Sequence, residues 1–260
     1  MLEPILIVKA GESNSAGRAL NSAATPEERA AQPRLQFLNN STLLFEPLLI
    51  GTNNVIDHDG ATNGSGLTEN PTWPTSRHGW EVPLSTAIRN NEFGQRPVYM
   101  VHTGQGGSQA QDWSSLTNAN RMVKLINRLN AAKAIIGNNY NVVIWMTIGI
   151  NDAFNNGLSY RATYNTLMAT YLANIRLQFP GRKCPILITG LTQAWPEYTE
   201  EVKRVAFNND AKFVPSLGAS ESSADGGDGN HWGYSGVQTI GKRLIRETKS
   251  LVMRQRFITF

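Results

Sequence analysis

Four runs in this chain are apolar over most of their length rather than alternating with polar residues. They are Pro4-Ile5-Leu6-Ile7-Val8-Lys9, Pro97-Val98-Tyr99-Met100-Val101-His102, Asn141-Val142-Val143-Ile144-Trp145-Met146-Thr147-Ile148 and Pro185-Ile186-Leu187-Ile188-Thr189. Side chains of a strand point to opposite faces in turn, so a strand with one wet face alternates and a strand covered on both faces does not. These runs predict parallel strands inside a sandwich. Lys212-Phe213-Val214-Pro215 predicts a fifth, short strand near an edge.

The segments between them keep helical spacing. Met122, Leu125, Ile126 and Leu129 recur at three and four residues, as do Tyr164, Leu167, Met168, Tyr171 and Ile175, and later Val237, Ile240, Leu244 and Leu251. Pro180-Gly181 stops the second helix. Strands alternating with helices predict a doubly wound α/β domain. No internal repeat and no linker interrupts the pattern, so residues 1–260 read as a single domain. The stretch 53–77 breaks the periodicity with Asp57-His58-Asp59-Gly60, Asn63-Gly64-Ser65-Gly66 and Pro71-Thr72-Trp73-Pro74. It reads as a long surface excursion bordering a site.

Composition removes several function classes. Of 260 residues, 40% are hydrophobic and 17% charged, ample for one core. The net charge of +4 is spread along the chain with no Lys/Arg block, which argues against nucleic acid as a partner. The single cysteine, Cys184, allows neither an internal disulfide nor a thiolate zinc site and reads as a small buried hydrophobe. No apolar run is long enough to span a membrane, and Glu3-Pro4 stands where a signal peptide would have basic residues. A secreted or cell-surface origin then requires a leader that has been removed, and neither compartment nor oligomeric state is fixed by these features.

In an open α/β sheet, sites form beyond the carboxyl ends of the strands. Gly11-Glu12-Ser13-Asn14-Ser15 follows the first strand, Thr103-Gly104-Gln105-Gly106-Gly107-Ser108 the second and Gly149-Ile150-Asn151-Asp152 the third. Asp225-Gly226-Gly227-Asp228-Gly229-Asn230-His231 precedes the last helix. Together they put a serine, a glycine turn, an asparagine and an Asp/His pair on one rim, the set that acyl transfer by serine requires. The hydroxyl needs a base, the imidazole needs an acceptor to fix its tautomer, and the oxyanion needs preorganised donors. Asp228, three residues before His231, suits the acceptor better than Asp225. Asn151 has two open roles, oxyanion donor and cap of a helix starting near Asp152. The Asp/Gly run lacks the spacing and late Glu of a calcium loop. Asp57, His58 and Asp59 read as solvated loop residues and His102 as a framework histidine. Gly11-Glu12-Ser13-Asn14-Ser15 loosely fits the elbow of the α/β-hydrolases, but only one strand precedes it here.

The four blocks, in this order, resemble those of the SGNH (GDSL-type) hydrolase superfamily. Gly11-Glu12-Ser13-Asn14, His78-Gly79-Trp80-Glu81, Gly106-Gly107-Ser108 and Asp112-Trp113 are similar to the branch of carbohydrate O-acetylesterases related to sialate O-acetylesterases. The resemblance implies a flavodoxin-like, three-layer α/β/α fold with a central parallel sheet. It implies Ser13 as nucleophile, His231 as base and Asp228 as its orienting partner. Ser13 N–H, Gly106 N–H (Gly107 is the neighbouring alternative) and the Asn151 side chain would form the oxyanion hole. Glu12 stands where the two patterns carry Asp or Gln, and a turn-pinning acceptor role is expected of it. No metal and no organic cofactor is implied, and the substrate is an acetylated carbohydrate or another small ester. Apart from the resemblance, Trp113, Trp195 and Trp232 fall near the rim in sequence, where they could stack on a sugar or equally pack beneath the site, and Trp113 and Trp232 are expected near the pocket as substrate-binding residues. Alternative functions on the same blocks are a lipid or aryl esterase, a thioesterase, or a carbohydrate-binding module with a retired site.

Overall fold

The computed structural model describes residues 2–54, 76–118 and 121–254. Strand β1 (Ile5–Gly11) leads into a four-residue helix, α1 (Ser13–Ala16). A short ribbon pairs β2 (Ala19–Leu20) with β5 (Arg77–His78). Helix α2 (Pro26–Arg29) starts from a Thr25–Glu28 capping box. The main sheet is completed by β3 (Gln32–Leu38), β4 (Phe45–Leu48), β6 (Val98–His102), β7 (Asn141–Thr147), β8 (Ile186–Thr189) and β9 (Lys212–Val214). Its order is β4-β3-β6-β1-β7-β8-β9, and every pair is parallel except β3 with β4.

Prolines mark the start of the parallel strands for a reason visible in the ladder. Pro4, Pro97 and Pro185 have no N–H to give, yet their carbonyls accept from Asn141, Ile5 and Ile144 at 2.9, 3.0 and 2.9 Å. All five anticipated strands are present, with β9 at an edge. Two more, β3 and β4, extend the other side. Their sequences hide them: Gln32-Pro33-Arg34-Leu35-Gln36-Phe37-Leu38 is mixed in polarity, and the register shifts between Gln32 and Gln36.

Alternate side chains of β1 feed two cores. Ile5 and Ile7 pack with α3 (Glu81–Arg89) and α9 (Tyr234–Arg254) through Trp80, Val82, Leu84, Val237, Ile240 and Leu244. Leu6, Val8 and Ala10 face α4 (Ala110–Ser114), α5 (Met122–Ile136), α7 (Arg161–Leu177) and α8 (Pro196–Asn208). The result is the three-layer α/β/α sandwich. Helix α6 (Ile150–Asn156) sits at the carboxyl end of β7. The chain crosses from β6 on one flank of β1 to β7 on the other, so the topological switch point falls at the end of β1, beside Ser13. Among the described residues no helix is long and apolar enough to cross a membrane.

Candidate active site

The turn that carries Ser13 is built against the core. Gly11 pairs with Thr147 at φ +108°, and a Cβ there would lie 2.1 Å from the Thr147 carbonyl oxygen, so no side chain fits. Glu12 N–H donates to that same carbonyl (2.8 Å), and Ser15 Oγ accepts from Thr147 N–H at 2.7 Å. Ser13 is the first residue of α1 and 5% exposed. Beneath it Lys9, fully buried, donates to Glu81 and to the carbonyl of Ala16, the last residue of α1 (3.4 Å). Burial alone raises the Glu81 carboxyl, but the Lys9 charge and hydrogen bond outweigh it and hold the group below its usual range.

The histidine arrives on a loop. His231 Nε2 lies 2.8 Å from Ser13 Oγ, and Nδ1 lies 2.8 and 2.9 Å from the two Asp228 carboxylate oxygens. A carboxylate accepts only, so Nδ1 carries the proton and Nε2 is left to accept from the serine hydroxyl. Asp228 Oδ1 also accepts the N–H groups of Asn230 and His231 at 3.1 and 2.8 Å. The His231 side-chain hydrogen bond, ahead of the other causes, holds the Asp228 carboxyl below its usual range. Asn14, next to Ser13, locks the loop: its Nδ2 donates to Asn230 O (2.9 Å) and its Oδ1 accepts from Trp232 N–H (3.1 Å). Asp225 is committed elsewhere, accepting from the N–H and hydroxyl of Ser235 in the first turn of α9 (2.9 and 2.7 Å).

The glycine turn after β6 docks on the same turn, with Gln105 N–H donating to Gly11 O at 2.8 Å. Gly106 is buried; Gly107 is half-buried at φ +68°. Helix α6 begins at Ile150 with Gly149 as its N-cap, so Asn151 lies inside the first turn and is not the cap. The Glu12 carboxylate fills that helix start. It accepts from the N–H groups of Gly149, Ile150 and Asn151 (3.3, 3.1 and 3.3 Å) and from Asn151 Nδ2 (3.1 Å). Burial pushes Glu12 up to about 8, with the Asn151 backbone hydrogen bond the strongest pull the other way. Asn151 Nδ2 makes a second bond, to Ser108 O at 3.1 Å. Asp152, buried and pushed by that burial up to about 7, accepts Ala110 N–H with both oxygens at 3.1 Å. Glu12 and Asp152 thus tie the β6 and β7 turns to the turn that carries Ser13.

Trp113 and Trp232 do not present ring faces at this rim. Both are 1% exposed. Trp113 stacks on Tyr171 and donates to Ser108 Oγ, while Trp232 packs against Trp80 in the opposite core. They pack in the two cores beneath the site. The excursion 53–77 and its Asp57-His58-Asp59 cluster fall almost wholly on residues 55–75, outside the described residues. Among the described residues no three His, Cys, Asp or Glu side chains gather as a metal site would need. Clefts of about 510 and 470 Å³ follow α8 and the β9 edge, lined by residues such as Phe207, Phe213 and Leu217, and their walls include no residue of the Ser13–His231–Asp228 set.

Sequence reasoning missed Lys9, Glu81, Asn14 and Asn230 as supports. A signal existed for Lys9, a charge in an otherwise apolar strand. It also missed Phe154, and it placed Trp195 near the rim without choosing it for the pocket. The indole N–H of Trp195 donates to Asn230 Oδ1 (3.0 Å), and its ring meets Phe154 edge-on.

Residues 4–250 match the family described as carbohydrate esterase, sialic acid-specific acetylesterase. Among curated protein sequences none matches. Solved structures share the fold at low identity. A protein from Arabidopsis thaliana superposes with TM-score 0.70 at 14% identity, over 96% of this chain and 99% of that one. NanS superposes with TM-score 0.64 at 15% identity, over 98% and 100%. A carbohydrate acetylesterase from Xanthomonas citri superposes with TM-score 0.59 at 14% identity, over 96% of this chain and 56% of its own.

Proposed function

We propose, from the premise that this chain belongs to the carbohydrate esterase, sialic acid-specific acetylesterase family, that it removes O-acetyl groups from carbohydrate with Ser13, His231 and Asp228 as its catalytic triad. The chain is a carboxylic ester hydrolase. The observation that carries the assignment is the unbroken line Asp228–His231–Ser13, with 2.8 Å on either side of the imidazole.

Ser13 Oγ attacks the acetyl carbonyl while His231 Nε2 takes its proton. Asp228 stays ionised and stabilises the imidazolium that forms. His231 then protonates the departing sugar hydroxyl, leaving an acetyl-serine. Water, deprotonated by the same nitrogen, attacks that ester and releases acetate. The oxyanion in both steps is held by Ser13 N–H, which has no acceptor within its own helix as the first residue of α1, and by Gly106 N–H. Asn151 joins them by exchanging its bond to Ser108 O for the oxyanion. The Glu12 carboxylate is occupied by α6 donors, which supports a structural role for it and a working nucleophile beside it.

The test is acetate release from acetylated xylans, pectins and sialic acids by the wild type and by Ser13→Ala. The reading predicts release from at least one carbohydrate and its loss in the variant. Undiminished release by Ser13→Ala would refute it, as would a preference for acyl chains of about eight carbons or more over acetyl.

A further inference from the structure

We infer that Phe154 and Trp195 form the wall on which the sugar ring of the acetylated substrate rests, and that Phe154 sets the preference for a glycosyl acetate over a simple alkyl acetate. The inference rests on the esterase reading and adds where the leaving alcohol lies.

Exposed large apolar side chains are not informative by themselves. Phe207 and Leu217 are 86% and 80% exposed, and both line clefts at the far α8–β9 edge. Phe154 is 69% exposed in a different place. It is three residues beyond Asn151 on α6, and residues three apart share a helix face. Its neighbours Ile150, Asp152 and Ala153 are buried, so α6 is fixed while this one ring stands in solvent.

Trp195 follows β8, the strand next to β7, so its loop and α6 are adjacent on the rim. The two rings meet at 6.3 Å between centroids and 77° between planes. An edge-to-face contact covers at most one face of either ring, so Phe154 keeps a face open. Trp195 is half-buried, and its indole N–H is spent on Asn230 Oδ1 at 3.0 Å. Asn230 immediately precedes His231, and its carbonyl accepts from Asn14, the residue after Ser13. A continuous set of contacts therefore runs from the nucleophile's helix through the histidine loop to the two rings. Flat apolar faces tied through Asn230 to the histidine loop suit the C–H face of a pyranose, and they offer little to a short alkyl alcohol.

The experiment compares Phe154→Ala and Phe154→Tyr with the wild type on an acetylated methyl glycoside and on ethyl acetate. For Phe154→Ala the fall in kcat/KM on the glycoside should exceed the fall on ethyl acetate by about three- to tenfold, carried by KM. Phe154→Tyr should recover most of it. Calorimetric binding of the same glycoside to the Ser13→Ala protein should weaken by a similar factor when Phe154→Ala is added, and this reading needs no turnover. Equal losses on the two esters, or unchanged glycoside binding in the double variant, would overturn the wall. If the wild type turned over neither ester, the esterase reading would fall, and the binding comparison would still decide the wall.

Discussion

The two halves of the candidate active site are held in different ways. The β1–α1 turn that carries Ser13 is embedded: Glu12 and Lys9 are fully buried, and the supports are strand carbonyls, helix amides and the Lys9–Glu81 pair. The loop that carries His231 lies open. Asp228 has 59% of its side-chain surface exposed and His231 23%, and order comes from the three N–H groups that Asp228 accepts, from two bonds to Asn14 and from the Trp195 bond to Asn230. Ser13 is thus positioned by the same buried interactions that fold the sheet, whereas His231 is positioned by a partly exposed Asp228 contact on a loop tied to α1 through Asn14. Substitutions in the first half should cost stability and activity together. Those in the second should cost activity alone.

The sharpest separation should come from Asp228→Asn. The amide keeps an oxygen for the loop N–H groups but no longer holds His231 in the right tautomer, so kcat should fall on the order of 10³- to 10⁴-fold. The urea midpoint should shift by less than about 1 kcal/mol in equivalent stability, since the side chain is exposed. A large loss of stability would break the contrast. Lys9→Met should behave the opposite way. It strands the buried Glu81 carboxylate and removes the donor to Ala16 O, and breaking such a pair costs about 3–5 kcal/mol. Chemical denaturation measures this, and a change under about 1 kcal/mol would show that the pair contributes little.

Much of this contrast was legible in the sequence on the side of chemistry and little on the side of support. Ser13, His231 and Asp228 stood out because their residue types suit acyl transfer and their blocks follow strand ends. The parallel strands were readable because burial on both faces leaves unbroken apolar runs. Strands β3 and β4 were not, since Pro33, Arg34 and Glu46 dilute the pattern in strands near or at the sheet's edge. Helix α8 had a readable signal in Pro196 followed by Tyr198, Val202, Val205 and Ala206. The buried network was illegible in kind. Nothing local announces that Glu12 will meet amides some 137 residues away, or that Lys9 will meet Glu81. For Trp113 and Trp232 the sequence left stacking and packing beneath the site open, because nearness to site residues along the chain says nothing about which way the rings turn; the structure buries both.

Two smaller effects refine the contrast within the embedded half. Asn151→Ala should lower kcat about 10²- to 10³-fold if its amide reaches the oxyanion. An effect confined to stability would assign Asn151 to the Glu12 network alone. Glu12 supplies the pH dependence. Burial raises its carboxyl from 4.5 to about 8, so folding favours the protonated form. Its stabilising contribution is complete below the ordinary carboxylate range and disappears as pH rises through about 8. Urea midpoints taken between about pH 5 and 8 should fall more steeply for the wild type than for Glu12→Gln, which cannot titrate there. Parallel curves would mean that the α6 donors keep Glu12 ionised throughout.

The most direct measurement is covalent. A fluorophosphonate probe reports a serine hydroxyl activated by a neighbouring base, and peptide mass mapping locates the adduct. A single adduct on Ser13, formed far more slowly in His231→Ala, is the predicted result. Labelling of another serine, or labelling of Ser13 at the same rate without the imidazole, would contradict the account.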